Sequence, residues 1–184
     1  GGSRAFAITD HQVAHIYLQD ESPRFRKEVR SCLENMEGVE KVLEGDTRKE
    51  WGLHHHRAGD FVVFSAEDSW FAYYHWLDDS LAPDFARCVD VHRKYGYDPA
   101  ELFVDPNISF PTLKVAQKLV GKKLGFRTNM DLIPLDANLV KGSHGTRPND
   151  PSDCPIIMGH GIKPSEKMLP STEVMGYLLN LFRK

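Results

Sequence analysis

Cysteine is scarce in this chain. Cys32, Cys88 and Cys154 are the only three, odd in number and far apart. That excludes a disulfide framework and a zinc knuckle built on closely paired thiolates, and leaves buried or incidental thiols, with a cytoplasmic setting as the expectation. Long apolar runs are missing too: no stretch of about eighteen such residues occurs, so no segment reads as a membrane-spanning helix. A basic excess is also absent. The 23 Lys and Arg stand against 26 Asp and Glu, a net charge of −3, which leaves no electrostatic footprint for nucleic acid. The first residues, Gly1-Gly2-Ser3-Arg4-Ala5-Phe6, carry neither an initiator methionine nor a signal peptide, and suggest a piece excised from a longer polypeptide. Repeats and low-complexity tracts are lacking.

What is present suits one globular domain over residues 1–184, long enough to bury a core, with 41% hydrophobic and 27% charged residues. Ala5-Phe6-Ala7-Ile8-Thr9 is a short apolar run of the kind found in buried parallel strands, and 13–18 suits a second strand. Ser22-Pro23 is a helix start; Phe25, Val29, Cys32, Leu33 and Met36 follow at helical spacing, and Gly38 closes the helix. A strand is expected over 39–43, a helical turn over 47–51, and a hairpin of strands 60–66 and 70–76 around Glu67-Asp68-Ser69. Periodicity then disappears across 77–111, a long irregular excursion punctuated by Pro83, Pro99, Pro106 and Pro111. A helix over 113–124, a strand at 155–158 and a last helix capped by Ser171 or Thr172 complete the order. The class is α/β, with a small mixed sheet and three main helices.

Two features carry chemistry. Asp10-His11 directly follows an apolar strand, where α/β sheets place ligands, and offers one oxygen and one nitrogen donor to a borderline cation such as zinc. His144 sits in Gly142-Ser143-His144-Gly145, whose glycines let the backbone turn sharply and present the imidazole at a site edge. Either alone is as well read as a strand cap or a solvated loop histidine.

Together with their flanks they resemble a known family. Phe6-Ala7-Ile8-Thr9-Asp10-His11 is similar to the strand-Asp-His element of type I phosphodiesterases and nucleotide pyrophosphatases, members of the alkaline phosphatase superfamily. Lys141-Gly142-Ser143-His144-Gly145-Thr146, followed by Pro148 and Asp150, resembles the family's distal Gly-x-His-Gly element. Ala58-Gly59-Asp60-Phe61-Val62-Val63, the run 70–76 and the segment 90–99 resemble bacterial members in the same order. The resemblance implies the C-terminal portion of a three-layer, alkaline-phosphatase-like domain whose whole protein hydrolyses phosphate esters with two zinc ions. Asp10 and His11 match ligands of one zinc and His144 a ligand of the other. The family has Gly where this chain has Gln12. It also places a Thr or Ser nucleophile, an Asp ligand and an Asp-x-x-x-His pair before the strand-Asp-His element, whereas only nine residues precede Asp10. Two tetrahedral zincs need about six to eight ligands. The chain alone is therefore expected to bind metal weakly or partially and to turn over no substrate.

Other readings stay beside this one. His11-Gln12-Val13-Ala14-His15 imitates a zinc-protease His-Glu-x-x-His motif, but Gln12 cannot act as a base and the run favours a strand. His54-His55-His56 cannot all face one ion in regular structure, and Arg57 beside them repels cations. Asp78, Asp79 and Asp84 lack calcium-loop spacing. The 77–111 excursion either lines a substrate cleft, with Arg93 or Lys94 on phosphate and Tyr95 or Tyr97 stacking, or packs on the sheet as an aromatic-anchored loop. Within the chemistry, a phosphomonoesterase or phosphonate hydrolase is the alternative substrate class. Outside it stands a non-catalytic interaction or structural module with vestigial metal motifs.

Overall fold

A computed structural model describes residues 2–74, 76–89, 99–160 and 168–182. It resolves into two compact units, Gly1–Arg147 and Pro148–Lys184. The first contains one four-stranded sheet, built from β1 (Ala5–Asp10), β2 (Val13–Leu18), β3 (Val39–Glu44) and β4 (Phe61–Ser65) in the order β1-β2-β4-β3. Every neighbouring pair is antiparallel, so the expected mixed sheet is corrected. The cause is local. Asp10 pairs with Val13, leaving two residues between the strands, and such a short connection can only reverse the chain.

Burial follows the strand period. In β2 the side chains of Ala14, Ile16 and Leu18 are buried while Val13, His15 and Tyr17 are half-buried. Central β4 is buried at all five positions because it is flanked on both edges and covered on both faces. On one face Phe61 and Val63 join Ala14, Ile16, Leu18 and Leu33, the last from helix α1 (Pro23–Glu34). On the other, Val62 and Phe64 join Leu43, with Val13, Trp51 and Leu53 packed against them. β1 is the exception to its expectation: it lies at the sheet edge with Phe6 and Ile8 about half exposed, and is not a buried parallel strand.

Helix α1 starts with Pro at its first turn, as Ser22-Pro23 predicts, and the chain turns at Gly38 with φ +78°. Phe25 and Val29 pack on the core, whereas Cys32 and Met36 face solvent. A single helical turn, α2 (Thr47–Glu50), follows β3.

The second strand of the expected hairpin does not form: the described residues of 70–76 carry no ladder, and His75 lies outside them. With β2 on one edge and β3 on the other, β4 has no edge to offer a further strand. The segment turns instead across the end of the sheet, where Phe71 N–H donates to the His11 carbonyl at 2.8 Å.

The described parts of the excursion, 77–89 and 99–110, form no α-helix or extended strand but are anchored. Ala86 and Cys88 are buried, Cys88 bridges Asp131, and Val89 N–H donates to the Met130 carbonyl at 3.0 Å. Ile133 N–H returns a bond to Arg87, and Asp105 N–H reaches Leu132. Helix α3 (Pro111–Lys123) presents Lys114 and Lys118 to the Asp131 carboxylate at 2.9 and 2.6 Å. Arg93, Lys94, Tyr95 and Tyr97 lie outside the described residues.

In the second unit the expected strand at 155–158 is replaced by irregular chain, since no other strand is described there to pair with it. A short 3-10 turn, Ser171–Glu173, leads into helix α4 (Val174–Phe182). No helix among the described residues is long and apolar enough to cross a membrane.

Candidate metal centre

The tight connection between β1 and β2 creates the site. His11, first of its two loop residues, has φ +54° and is the only non-glycine with positive φ among the described residues. Two-residue hairpin turns require such a conformation, and Gly, Asn or Asp usually supply it. A histidine there carries a conformational cost of order 1 kcal/mol. The surroundings over-determine it. His11 N–H donates to the Tyr73 hydroxyl at 3.2 Å, its carbonyl accepts from Phe71, and Nδ1 lies 3.0 Å from Ser143 Oγ.

Gln12 makes the turn rigid. It is 4% exposed, and its side-chain amide faces the carbonyls of Ala66, Glu67 and Ser69 at 3.4, 3.2 and 3.1 Å. Its own carbonyl accepts from Ser65 N–H at 3.0 Å. The departure from glycine thus fastens the site turn to the loop that follows β4. Nothing in the local sequence pattern signals this role for Gln12.

The segment carrying His144 is brought to the same turn. Gln12 N–H donates to the His144 carbonyl at 3.0 Å. Gly145 has φ +125°, and a Cβ on it would lie 3.0 Å from Val13 Cγ2 and 3.3 Å from Gln12 N, so this glycine answers both a backbone and a packing demand. The His11 and His144 rings then lie 4.1 Å apart, tilted by 32°.

Asp10, His11 and His144 each offer one donor atom, and these atoms lie within 4.8 Å of one another. The structure therefore brings all three candidate ligands together across more than 130 residues of chain. Ligand atoms on a four-coordinate zinc are about 3.4 Å apart, given bond lengths near 2.1 Å. Asp10 and His144 are exposed, so their side chains have room to rotate toward that spacing. None of the ion pairs among the described residues uses Asp10 or His144. A carboxylate beside two imidazoles is a donor set that suits a divalent ion, and three protein ligands leave a coordination position for water or substrate. A groove of about 700 Å³ has Thr9, Trp70, Phe71, Lys141 and Ser143 in its wall.

The remaining histidines and acids fall elsewhere. His15 Nδ1 accepts from Gly59 N–H at 3.0 Å, and burial, aided by the Arg48 charge, lowers its pKa, so it stands as a structural imidazole. His54, His55 and His56 are exposed, with the rings of the last two 4.1 Å apart. Asp78 accepts from Ser80 N–H in a local turn. Ser143 and Tyr73 also support the site, through contacts that no local sequence pattern marks. No known family, curated protein or solved structure matches the chain.

Proposed function

We propose that this chain supplies part of the metal site of a phosphate-ester hydrolase, of the phosphodiesterase and nucleotide pyrophosphatase type, with the nucleophile lying outside these 184 residues. The observation that supports this is the convergence of Asp10, His11 and His144 to within 4.8 Å on one end of the sheet. Donors that close suit the coordination sphere of one ion, which moves His144 from the second zinc of the family resemblance to the first; that second zinc would draw its ligands from outside this chain. Zinc bound there supplies a Lewis acid for a phosphoryl oxygen. The chain's own groups do the rest. Ser143 orients the His11 ring through Nδ1, and the backbone bond from Gln12 fixes the level of His144. Trp70 and Lys141 offer a ring and a cation to a small phosphate ester in the adjoining groove.

The alkaline-phosphatase-like fold belongs to this proposal. It would make the four-stranded antiparallel sheet one part of a larger sheet. A phosphomonoesterase or phosphonate hydrolase would use the same donors, and a chromogenic substrate panel separates these classes. The test is hydrolysis of a chromogenic phosphodiester by the zinc-loaded 184-residue chain, and by a longer polypeptide that contains these residues and a Thr or Ser nucleophile. The expected result is no turnover by the first, and zinc-dependent turnover by the second that His144→Ala abolishes. Hydrolysis by the short chain alone, or turnover indifferent to His144, overturns the proposal. A protein that neither binds zinc nor hydrolyses esters would be the non-catalytic module.

A further inference from the structure

We infer that Trp51 and Arg147 form a clamp that positions His144; this rests on reading His144 as a metal donor. The residues around His144, 140–147, form no helix or strand, and their side chains are mostly exposed. Backbone of this kind opens easily unless something fixes it at both ends. Upstream, Ser143 meets His11, and His144 itself accepts from Gln12. Downstream the anchor is Arg147, whose guanidinium carbon lies 4.3 Å from the centre of the Trp51 ring. A cation over an indole at this range contributes about 0.5–1 kcal/mol where exposed and about 2 kcal/mol where desolvated.

Trp51 is a firm anchor. Its ring lies 5.0 Å from that of Phe64 and packs on the buried Leu43, Val62 and Phe64. Lys41 Nζ also sits 4.4 Å from the ring centre. Val13 belongs to the same apolar group and is the residue that a side chain at 145 would strike. The segment therefore rests at two points, Gly145 and Arg147, on one face of the sheet. His144 lies just before them, and its ring meets that of His11. Among the described residues, no ion pair joins Arg147 to a candidate metal donor. It is a positioning residue, acting through Trp51 and the backbone.

Charge alone predicts the opposite of a clamp, and this separates the two. Deleting a guanidinium near a cation site relieves repulsion and strengthens metal binding. Deleting a clamp lets His144 drift and weakens it. The experiment compares wild type with Arg147→Ala, Arg147→Lys and Trp51→Phe, each checked for an intact amide spectrum. Two readouts are taken: the proton NOE between the His11 and His144 rings without metal, and Co²⁺ affinity from its visible absorption. In Arg147→Ala the NOE should weaken and affinity fall about 5-fold, the fold-change that about 1 kcal/mol gives. Arg147→Lys, which keeps a cation over the ring, should restore the NOE and return affinity to within about 2-fold, with Trp51→Phe between the two. An NOE of undiminished strength in Arg147→Ala, one missing from wild type, or a rise in Co²⁺ affinity overturns the clamp. Weakening of the NOE in a protein that binds no Co²⁺ upholds the clamp and removes the metal reading instead.

Discussion

The two ends of the four-stranded sheet treat charge in opposite ways. At the end away from the β1–β2 turn, Arg26 divides its guanidinium between Glu44 at 2.9 Å and Asp60 at 2.7 Å. Arg30 adds a second contact to Glu44, and Leu18 N–H donates to the other Asp60 oxygen at 2.9 Å. Arg48 donates to the Gly59 carbonyl. Glu44 and Asp60 each have a protein cation there. At the turn end a carboxylate and two imidazoles converge, and none of the ion pairs among the described residues serves Asp10. The same scaffold thus satisfies its charges internally where they hold strands together, and leaves a donor set for an external cation where the chain reverses. Stability and binding should consequently separate by mutation.

The largest expected effect breaks the structural end. Gly59→Ala would place a Cβ 2.7 Å from both the backbone N and O of Ile16 and 2.8 Å from the Phe61 carbonyl, none of which can yield without shifting the β2–β4 pairing. Denaturant titration should show a loss of about 3 kcal/mol or more. A loss below about 0.5 kcal/mol would mean that the strands meet less closely there. A smaller effect belongs to the turn end. Ser143→Ala removes the partner of His11 Nδ1, and zinc affinity should fall about 10-fold while the unfolding midpoint barely moves.

The smallest effect sharpens the contrast through pH. Burial opposes ionisation of Asp60, but the Leu18 amide and Arg26 outweigh it, so its carboxyl titrates below the ordinary range. A depressed folded pKa gives stability that is present above the unfolded value and is lost as pH falls through the folded one. Wild type should accordingly lose stability below about pH 4, and Asp60→Asn should be weaker by about 1 kcal/mol at neutral pH with a flatter acid limb. Equal acid limbs would show that the ion pair at this end does not couple to folding.

These predictions also mark how far the sequence is legible. The β2, β3 and β4 runs, the Pro23 start of α1, α3 and the last helix are read correctly because each carries its own period or punctuation. Sheet direction is not: Ala5–Thr9 is apolar enough for a buried strand, and only the pairing of Asp10 with Val13 shows that it turns straight back and lies at an edge. The run 70–76 is rich in aromatics, yet strand-like composition cannot reveal that β4 already has both neighbours. At the site, the donor types of Asp10, His11 and His144 are visible as motifs. Their convergence depends on Gln12 and Gly145, whose contacts span the chain and leave no local pattern. The hold of Trp51 on Arg147 is of the same long-range kind.

The central claim is that Asp10, His11 and His144 bind one divalent cation together. Calorimetric titration of the 184-residue chain with Zn²⁺ tests it most directly, run beside His144→Ala and a variant with His54, His55 and His56 all changed to Ala. The account predicts one Zn²⁺ per chain with a Kd on the order of 10 µM, as suits three partly exposed ligands. It predicts a loss of at least about 100-fold in His144→Ala, beyond what an outer-shell group costs, and no change in the triple variant. Binding that survives His144→Ala and disappears with the exposed histidine tract would contradict it.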